Sequence, residues 1–168
     1  MGERLGTDSH FMENRIQKER QRTLDILKTA HLYLPALHGL PAAVSGDLPL
    51  ARGLARFLAV ELGVDIRGMH ITSSPDGVQE EIRFEPICSN ILFNASWERF
   101  KGLVREMDVA LILGSDLDRS ICTKENRHLI PISYPTITRI TLTPQPYMGF
   151  RGVLTLAEEI INLILKRV

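Results

Sequence analysis

At 168 residues, with 44% hydrophobic and 24% charged side chains, the chain is long enough for one domain with a proper core, and its composition is that of a soluble globular protein. Twenty basic and twenty acidic residues cancel, which removes any electrostatic case for nucleic acid or an anionic membrane as the main partner. Apolar runs are far shorter than a bilayer span, the N-terminus carries charge where a signal peptide needs an apolar core, and the two cysteines, Cys88 and Cys122, form no CxxC pair; a cytoplasmic protein with reduced thiols is expected.

Residues 1–13 are polar and read as a weakly ordered lead-in, so the domain proper is placed at 14–168. From Asn14, Ile16, Leu24, Leu27, Leu32 and Leu34 recur at helical spacing, with Pro35 and Gly39 at the end. Residues 40–45 are a short apolar run stopped by Gly46-Asp47 and predict a buried strand. A helix follows over 49–62, with Leu50, Leu54, Phe57 and Leu58 on one face and Gly63 as its stop. Residues 66–72 predict a second strand, 73–77 a turn, and 78–88 either a short helix or irregular chain. Residues 90–93 predict a third strand. Trp97, Phe100, Leu103, Val104 and Met107 mark a third helix, with Ser96 as its expected N-cap. The clearest buried strand is 109–113, ended by Gly114-Ser115-Asp116; 117–125 reads as helical and 129–132 as a fifth strand. After an irregular stretch with three prolines, a strongly amphipathic helix is predicted over 152–166. Five short strands separated by helices predict an α/β fold, a Rossmann-like three-layer sandwich with a parallel sheet between helices.

In such a sheet, ligands bind where strands end and loops enter helices. Two loops qualify: Gly46 with Asp47, and Gly114 with Ser115 and Asp116. A glycine admits backbone close to a ligand and helix amides can hold an anion, but a glycine and a capping side chain also serve any strand-to-helix turn. No GxGxxG, P-loop or Gly-x-Ser-x-Gly elbow is present, so no catalytic residue is assigned. His31, His38, His70 and His128 are scattered, and two separated cysteines cannot close a four-cysteine site within one chain; no metal ligand is assigned either. Arg139, in the loop after the last strand, suits either a structural ion pair or an anion across an interface.

Several segments in order resemble the C-terminal domain of nitrogenase component 1 proteins, closest to the beta-type subunits. They are Lys18-Glu19-Arg20 entering the first helix, the strand stopped by Gly46-Asp47, Glu61-Leu62-Gly63, the strand ending at Gly114-Ser115, Tyr134-Pro135, Arg139, and Gly149-Phe150-Arg151-Gly152. The resemblance implies an oxidoreductase whose complete complex carries an iron-sulfur or iron-molybdenum-type cluster. Implied partners are other component 1 domains or an alpha-type subunit, and an ATP-dependent reductase. The family's cluster cysteines belong to a different domain, and the loop 138–143 offers Arg139 where alpha-type subunits place a cofactor histidine. The expectation is therefore a packing domain without its own cluster, with Arg139, Tyr147 and Phe150 at the interface. The alternatives are a small-molecule-binding module using the two glycine loops, or a scaffold in cofactor assembly.

Overall fold

The computed structural model describes residues 9–73, 87–122 and 127–166. The segment 78–86, left open between helix and loop by its pattern, and the end of the helix expected to reach 125 lie outside the described residues. The chain divides into two compact units, one formed by residues 36–140 and the other by 1–35 with 141–168.

The first of these holds a five-stranded, wholly parallel sheet in the order β3-β2-β1-β4-β5. Its strands are β1 (Pro41–Asp47), β2 (Asp65–Ser73), β3 (Ile91–Phe93), β4 (Leu111–Gly114) and β5 (His128–Pro131). The order follows from the connections: β1, β2 and β3 step one way across the sheet, and β4 then starts again on the other side of β1. Strands parallel to their neighbours need crossovers, supplied here by α2 (Leu48–Arg56), α3 (Trp97–Glu106) and the short α4 (Arg119–Cys122). Fold class and all five strands agree with the sequence reading to within two residues at each end.

Side chains on β1 alternate between the two faces. Ala43 and, paired with it, Ile112 face α3 and α4 and pack with Phe100, Val104, Val109, Ile121 and Cys122. Ala42 and Val44, with their partners Leu111 and Leu113, lie on the opposite face of the sheet. All these residues are buried, as the near-continuous apolar runs of a two-faced parallel strand require. Gly68 on β2 lets α3 come close: a Cβ there would stand 3.0 Å from Leu103 Cδ2.

Helix α2 continues as one turn of π-helix, Phe57–Glu61, and stops where the pattern places its end. Gly63 takes φ +70°, a left-handed conformation that costs a side-chain-bearing residue roughly 1–2 kcal/mol. Its carbonyl accepts a bond from the Gly39 amide at 2.8 Å, and the His38 ring fills the space a Cβ would need. Ser96 does precede α3 in extended conformation, but its hydroxyl makes no capping bond.

In the second unit, α1 (Ser9–Thr29) packs with α5 (Gly149–Leu165). Helix α1 starts at Ser9, five residues before the first clearly periodic position, because polar residues such as Glu13, Asn14 and Arg15 are acceptable on an exposed helix surface. It then ends early, and 34–37 form a turn of 3-10 helix ahead of β1. Helix α5 begins at Gly149, three residues before the predicted start, and buries Gly152, Leu156, Ala157, Ile160 and Ile161.

Candidate functional site

The C-terminal ends of β1, β2, β3 and β4 surround a cleft of about 260 Å³ in the sheet unit, lined by Ser45, His70, Thr72, Asn94, Ala95, Trp97, Ser115, Leu117 and Asp118. It sits where the strand order reverses, between β1 and β4, the place at which open parallel sheets bind ligands.

Register assembles its floor. Ser45 and His70 are partners across β1 and β2 and point to the α3 side. His70 is buried, its ring stacked on Phe100 with centroids 4.9 Å apart. Its Nε2 lies 3.1 Å from the Ala95 carbonyl, which can only accept, so Nε2 carries the proton. In the neutral ring Nδ1 is then an acceptor, and the Ser45 hydroxyl, 3.2 Å away, donates to it. Asn94, in the left-handed region at φ 46°, turns the chain out of β3, and its backbone N–H donates a hydrogen bond to the Ile71 carbonyl at 2.8 Å.

The wall after β4 is a capping box. Ser115 Oγ accepts from the Leu117 amide, and Asp118 reaches back so that its Oδ2 accepts from the Ser115 amide at 2.8 Å and from the Ser115 hydroxyl at 3.2 Å. Gly114 makes room for this. A Cβ on Gly114 would stand 2.3 Å from Asp118 Oδ2 and 3.2 Å from Ser45 Cβ.

The five loop residues singled out by sequence part company here. Ser115 lines the cleft and Gly114 stands directly behind it. Asp47 caps α2, accepting from the Leu50 amide at 3.0 Å, and Gly46 is small so that Leu50 and Ser133 can close over it, at 3.3 and 3.5 Å from its would-be Cβ. Asp116 turns away to hold the loop after β5. One carboxylate oxygen accepts from the Thr138 amide at 2.8 Å and from the Ile137 amide, the other from the Thr138 hydroxyl and Arg119 at 2.6 Å each. The Asp116 amide in turn donates to the carbonyl of Pro135, which follows a cis peptide bond. Ser45, His70, Thr72, Asn94, Trp97 and Asp118 were not assigned to a site from sequence. The Ser-x-x-Asp spacing of Ser115 and Asp118, a capping-box pattern, is the signal from which the last of them could have been read.

Hydrogen bonds from the Thr138 hydroxyl and amide, then Arg119 and Ile137, hold the Asp116 carboxyl well below the usual carboxylate range. A lowered native pKa stabilises the fold wherever the unfolded carboxyl would be ionised, and that contribution fades as pH falls below about 4. Asp116→Asn is expected to lower the melting temperature most near neutral pH, with the gap to wild type closing in strong acid. A constant gap from pH 7 to pH 3 would show that the carboxylate charge is not what secures the loop.

An iron-sulfur cluster is held by several thiolates, and the described residues include two thiols. Burial pushes the Cys88 thiol up, and burial together with the Asp118 charge pushes Cys122 up to about 11. Each donates to a backbone carbonyl, of Asn90 and Asp118 respectively. They precede the two opposite edge strands, β3 and β5, which four inter-strand spacings separate by about 19 Å. Among the described residues no three His, Cys, Asp or Glu side chains form a group that could hold a metal ion.

Of the expected interface residues, Arg139 is half-buried in the sheet unit. In the other unit, Tyr147 donates its hydroxyl to Glu159 at 3.3 Å, and Phe150 is half-buried in the first turn of α5. Among the described residues no helix is long and apolar enough to cross a membrane.

Residues 1–165 match the family model described as nitrogenase component 1 type oxidoreductase. The chain is 30% identical over 155 residues to the nitrogenase molybdenum-iron protein beta chain of Frankia alni, covering 88% of this chain and 28% of that one. It is 27% identical over 152 residues to the corresponding beta chain of Methanothermobacter marburgensis, covering 87% and 32%. Against a light-independent protochlorophyllide reductase chain of Mesostigma viride it is 26% identical over 129 residues, covering 75% and 25%. The solved structure "Nitrogenase Cp1 at pH 6.5" shares the fold, with a TM-score of 0.77 at 23% identity, over 99% of this chain and 36% of that one. The chain thus spans between a quarter and about a third of the length of the relatives it matches, and it belongs to the nitrogenase component 1-type oxidoreductase family.

Proposed function

We propose that this chain serves as a packing domain of a cytoplasmic component 1-type oxidoreductase and holds no cluster of its own. It docks on cluster-bearing domains or on an alpha-type subunit, and electrons reach the complete complex from an ATP-dependent reductase. The observation that carries this reading is a set of exposed apolar side chains in each unit: Tyr134, Ile137 and Ile140 in the sheet unit, and Leu142 and Met148 in the other. Tyr134 is 95% exposed, Leu142 92% and Ile140 86%, with Ile137 and Met148 at 75% each. Three large apolar side chains exposed within seven residues of the sheet unit, Tyr134, Ile137 and Ile140, are more than the scattered singles of a solvated surface, and such concentrations mark protein contacts. The loop that presents Tyr134 and Ile137 is tethered by Asp116, so docking costs little ordering entropy there. Cys88 and Cys122 precede opposite edges of the sheet, and a cluster needs more thiolates than such a pair supplies, which supports a cluster held elsewhere.

Anaerobic purification of the chain alone, with assay of iron and acid-labile sulfide, tests the absence of a cluster; sub-stoichiometric values are expected. Stoichiometric iron and sulfide on the isolated chain would sink the reading. Docking is tested by co-expression with an alpha-type subunit. A complex that elutes as one species, and that Tyr134→Asp with Leu142→Asp disrupts, is the expected result.

A further inference from the structure

The cleft at the strand ends holds a hydroxyl, a base and a group that orients the base. Ser45 Oγ lies 3.2 Å from His70 Nδ1, and both residues line the cleft. The imidazole is fixed twice over. Its Nε2–H donates to the Ala95 carbonyl at 3.1 Å, which leaves the lone pair on Nδ1, and its ring stacks on Phe100. A hydroxyl within reach of a basic nitrogen, with the base oriented by a third group, is the arrangement that activates a serine as a nucleophile. The third group here is a backbone carbonyl, which sets the tautomer without adding charge. The sheet holds all three in place: Ser45 and His70 are partners across β1 and β2, and Ala95 follows β3.

The rest of the lining limits what could be attacked. Thr72 stands on the same face of β2 as His70, and Asn94 follows β3. Both line the cleft, and their hydroxyl and carboxamide are donors suited to a developing oxyanion. They lie on the β2 and β3 side of Ser45, whereas Asp118 follows β4 on the other side. A substrate carbonyl oxygen is thereby directed away from the carboxylate. Asp118 is buried, and the described lining residues include no lysine or arginine, which disfavours an anionic substrate. At about 260 Å³ the cleft is smaller than the roughly 300–1,000 Å³ of drug-sized ligand sites, so it suits a short chain, with the Trp97 ring as an apolar wall.

We infer that Ser45 is a nucleophile, with His70 as its general base, toward small neutral carboxylic esters. Ser45 Oγ adds to the ester carbonyl carbon while its proton passes to His70 Nδ1. Collapse breaks the bond to the alkoxy oxygen, which takes that proton and leaves as the alcohol. Water, giving a proton to the same Nδ1, then attacks the acyl-serine, and the acid departs as Ser45 regains its proton. No oxidant or metal enters the balance. This inference stands apart from the packing role: either can fail while the other holds, because the cleft residues and the exposed side chains proposed to meet a partner are different sets.

The test treats the full chain with diisopropyl fluorophosphate, which phosphorylates activated serines with loss of fluoride, and maps the adduct by peptide mass spectrometry. One adduct per chain, on Ser45, is expected. Hydrolysis of p-nitrophenyl acetate is followed in parallel. Ser45→Ala should return it to the rate in buffer. His70→Gln, which keeps a donor for the Ala95 carbonyl but is no base, should slow it by about 100-fold or more. Near-UV circular dichroism establishes that the variants are folded; if either is not, adduct mapping on the wild-type chain decides. No adduct, an adduct on another residue instead, or hydrolysis unchanged in a folded Ser45→Ala chain would each overturn the inference.

Discussion

Replacing Phe100 by alanine is expected to cost about 3–5 kcal/mol, the range for removing a fully buried aromatic side chain. Phe100 is 0% exposed and sits at the centre of the cluster that joins α3 to the sheet, with Val104 from its own helix, Ile112 from β4 and Ile121 from α4. The loss has two parts. Transfer of the ring from the core to water accounts for one, and the other is the cavity left behind, because Ala43 and Ile112 stand on the rigid sheet and cannot collapse into it. His70 also loses the ring it stacks on, so its hold on Ser45 and the Ala95 carbonyl loosens with it. For a chain of this length the melting temperature should fall by roughly 6–20 °C. Thermal unfolding followed by circular dichroism measures it. A fall of only a degree or two would mean that α3 is not anchored to the sheet through this residue.

That same helix shows how far sequence alone reaches. Trp97, Phe100, Val104 and Met107 give α3 away because helical periodicity is a local property, and β4 is legible because an unbroken apolar run stopped by Gly114 fits a strand buried on both faces. The start of α1 is not legible, since Glu13, Asn14 and Arg15 neither break a helix nor mark a buried face. The cleft is harder still. His70 is unremarkable in its own strand; it becomes part of a site only because the β1–β2 register sets it opposite Ser45, and register is a long-range property. Between Asp116 and Asp118, the acid next to the glycine-serine turn looks like the ligand group. The structure gives Asp116 to the loop after β5 and turns Asp118 inward, an exchange that depends on Thr138 arriving from more than twenty residues away.

Family membership and the site therefore draw on different evidence. The order of weak motifs along the chain identifies the family because each marks an element boundary that the shared fold needs: Gly63 ends a helix with a left-handed turn, and Gly46 and Gly114 let neighbouring side chains close over strand ends. Those residues are constrained by packing, and packing is what the relatives have in common with this chain. Of those motifs only Ser115 lines the cleft; Ser45, His70, Thr72, Asn94, Trp97 and Asp118 lie outside them, so the motifs that identify the family do not describe the cleft.

Gly152→Ala is expected to destabilise the unit formed by α1 and α5 by about 1–3 kcal/mol, against the intrinsic preference of a helix for alanine. In an open helix position the exchange is favourable by roughly 1 kcal/mol, because glycine loses more backbone entropy on folding. Gly152 is buried in the first turn of α5, and a Cβ there would stand 2.4 Å from the Tyr147 carbonyl carbon and 2.7 Å from its oxygen. These are backbone atoms, which cannot rotate aside as a flexible side chain would. The loop is pinned at the same point by the hydrogen bond that the Gly152 N–H donates to the Met148 carbonyl at 3.3 Å and by that of the Tyr147 hydroxyl to Glu159, so relief of the clash means breaking one of them. Gly53 in α2 and Gly102 in α3 supply the internal comparison, since a Cβ at either meets nothing within 4 Å. Gly53→Ala and Gly102→Ala should raise stability by up to about 1 kcal/mol while Gly152→Ala lowers it, three identical exchanges with opposite signs. Urea titrations of the three variants read the sign directly. A stabilising Gly152→Ala would show that the chain at Tyr147 does not lie over the start of α5, and with it would go the placement of Tyr147 and Phe150 on the surface proposed to meet a partner.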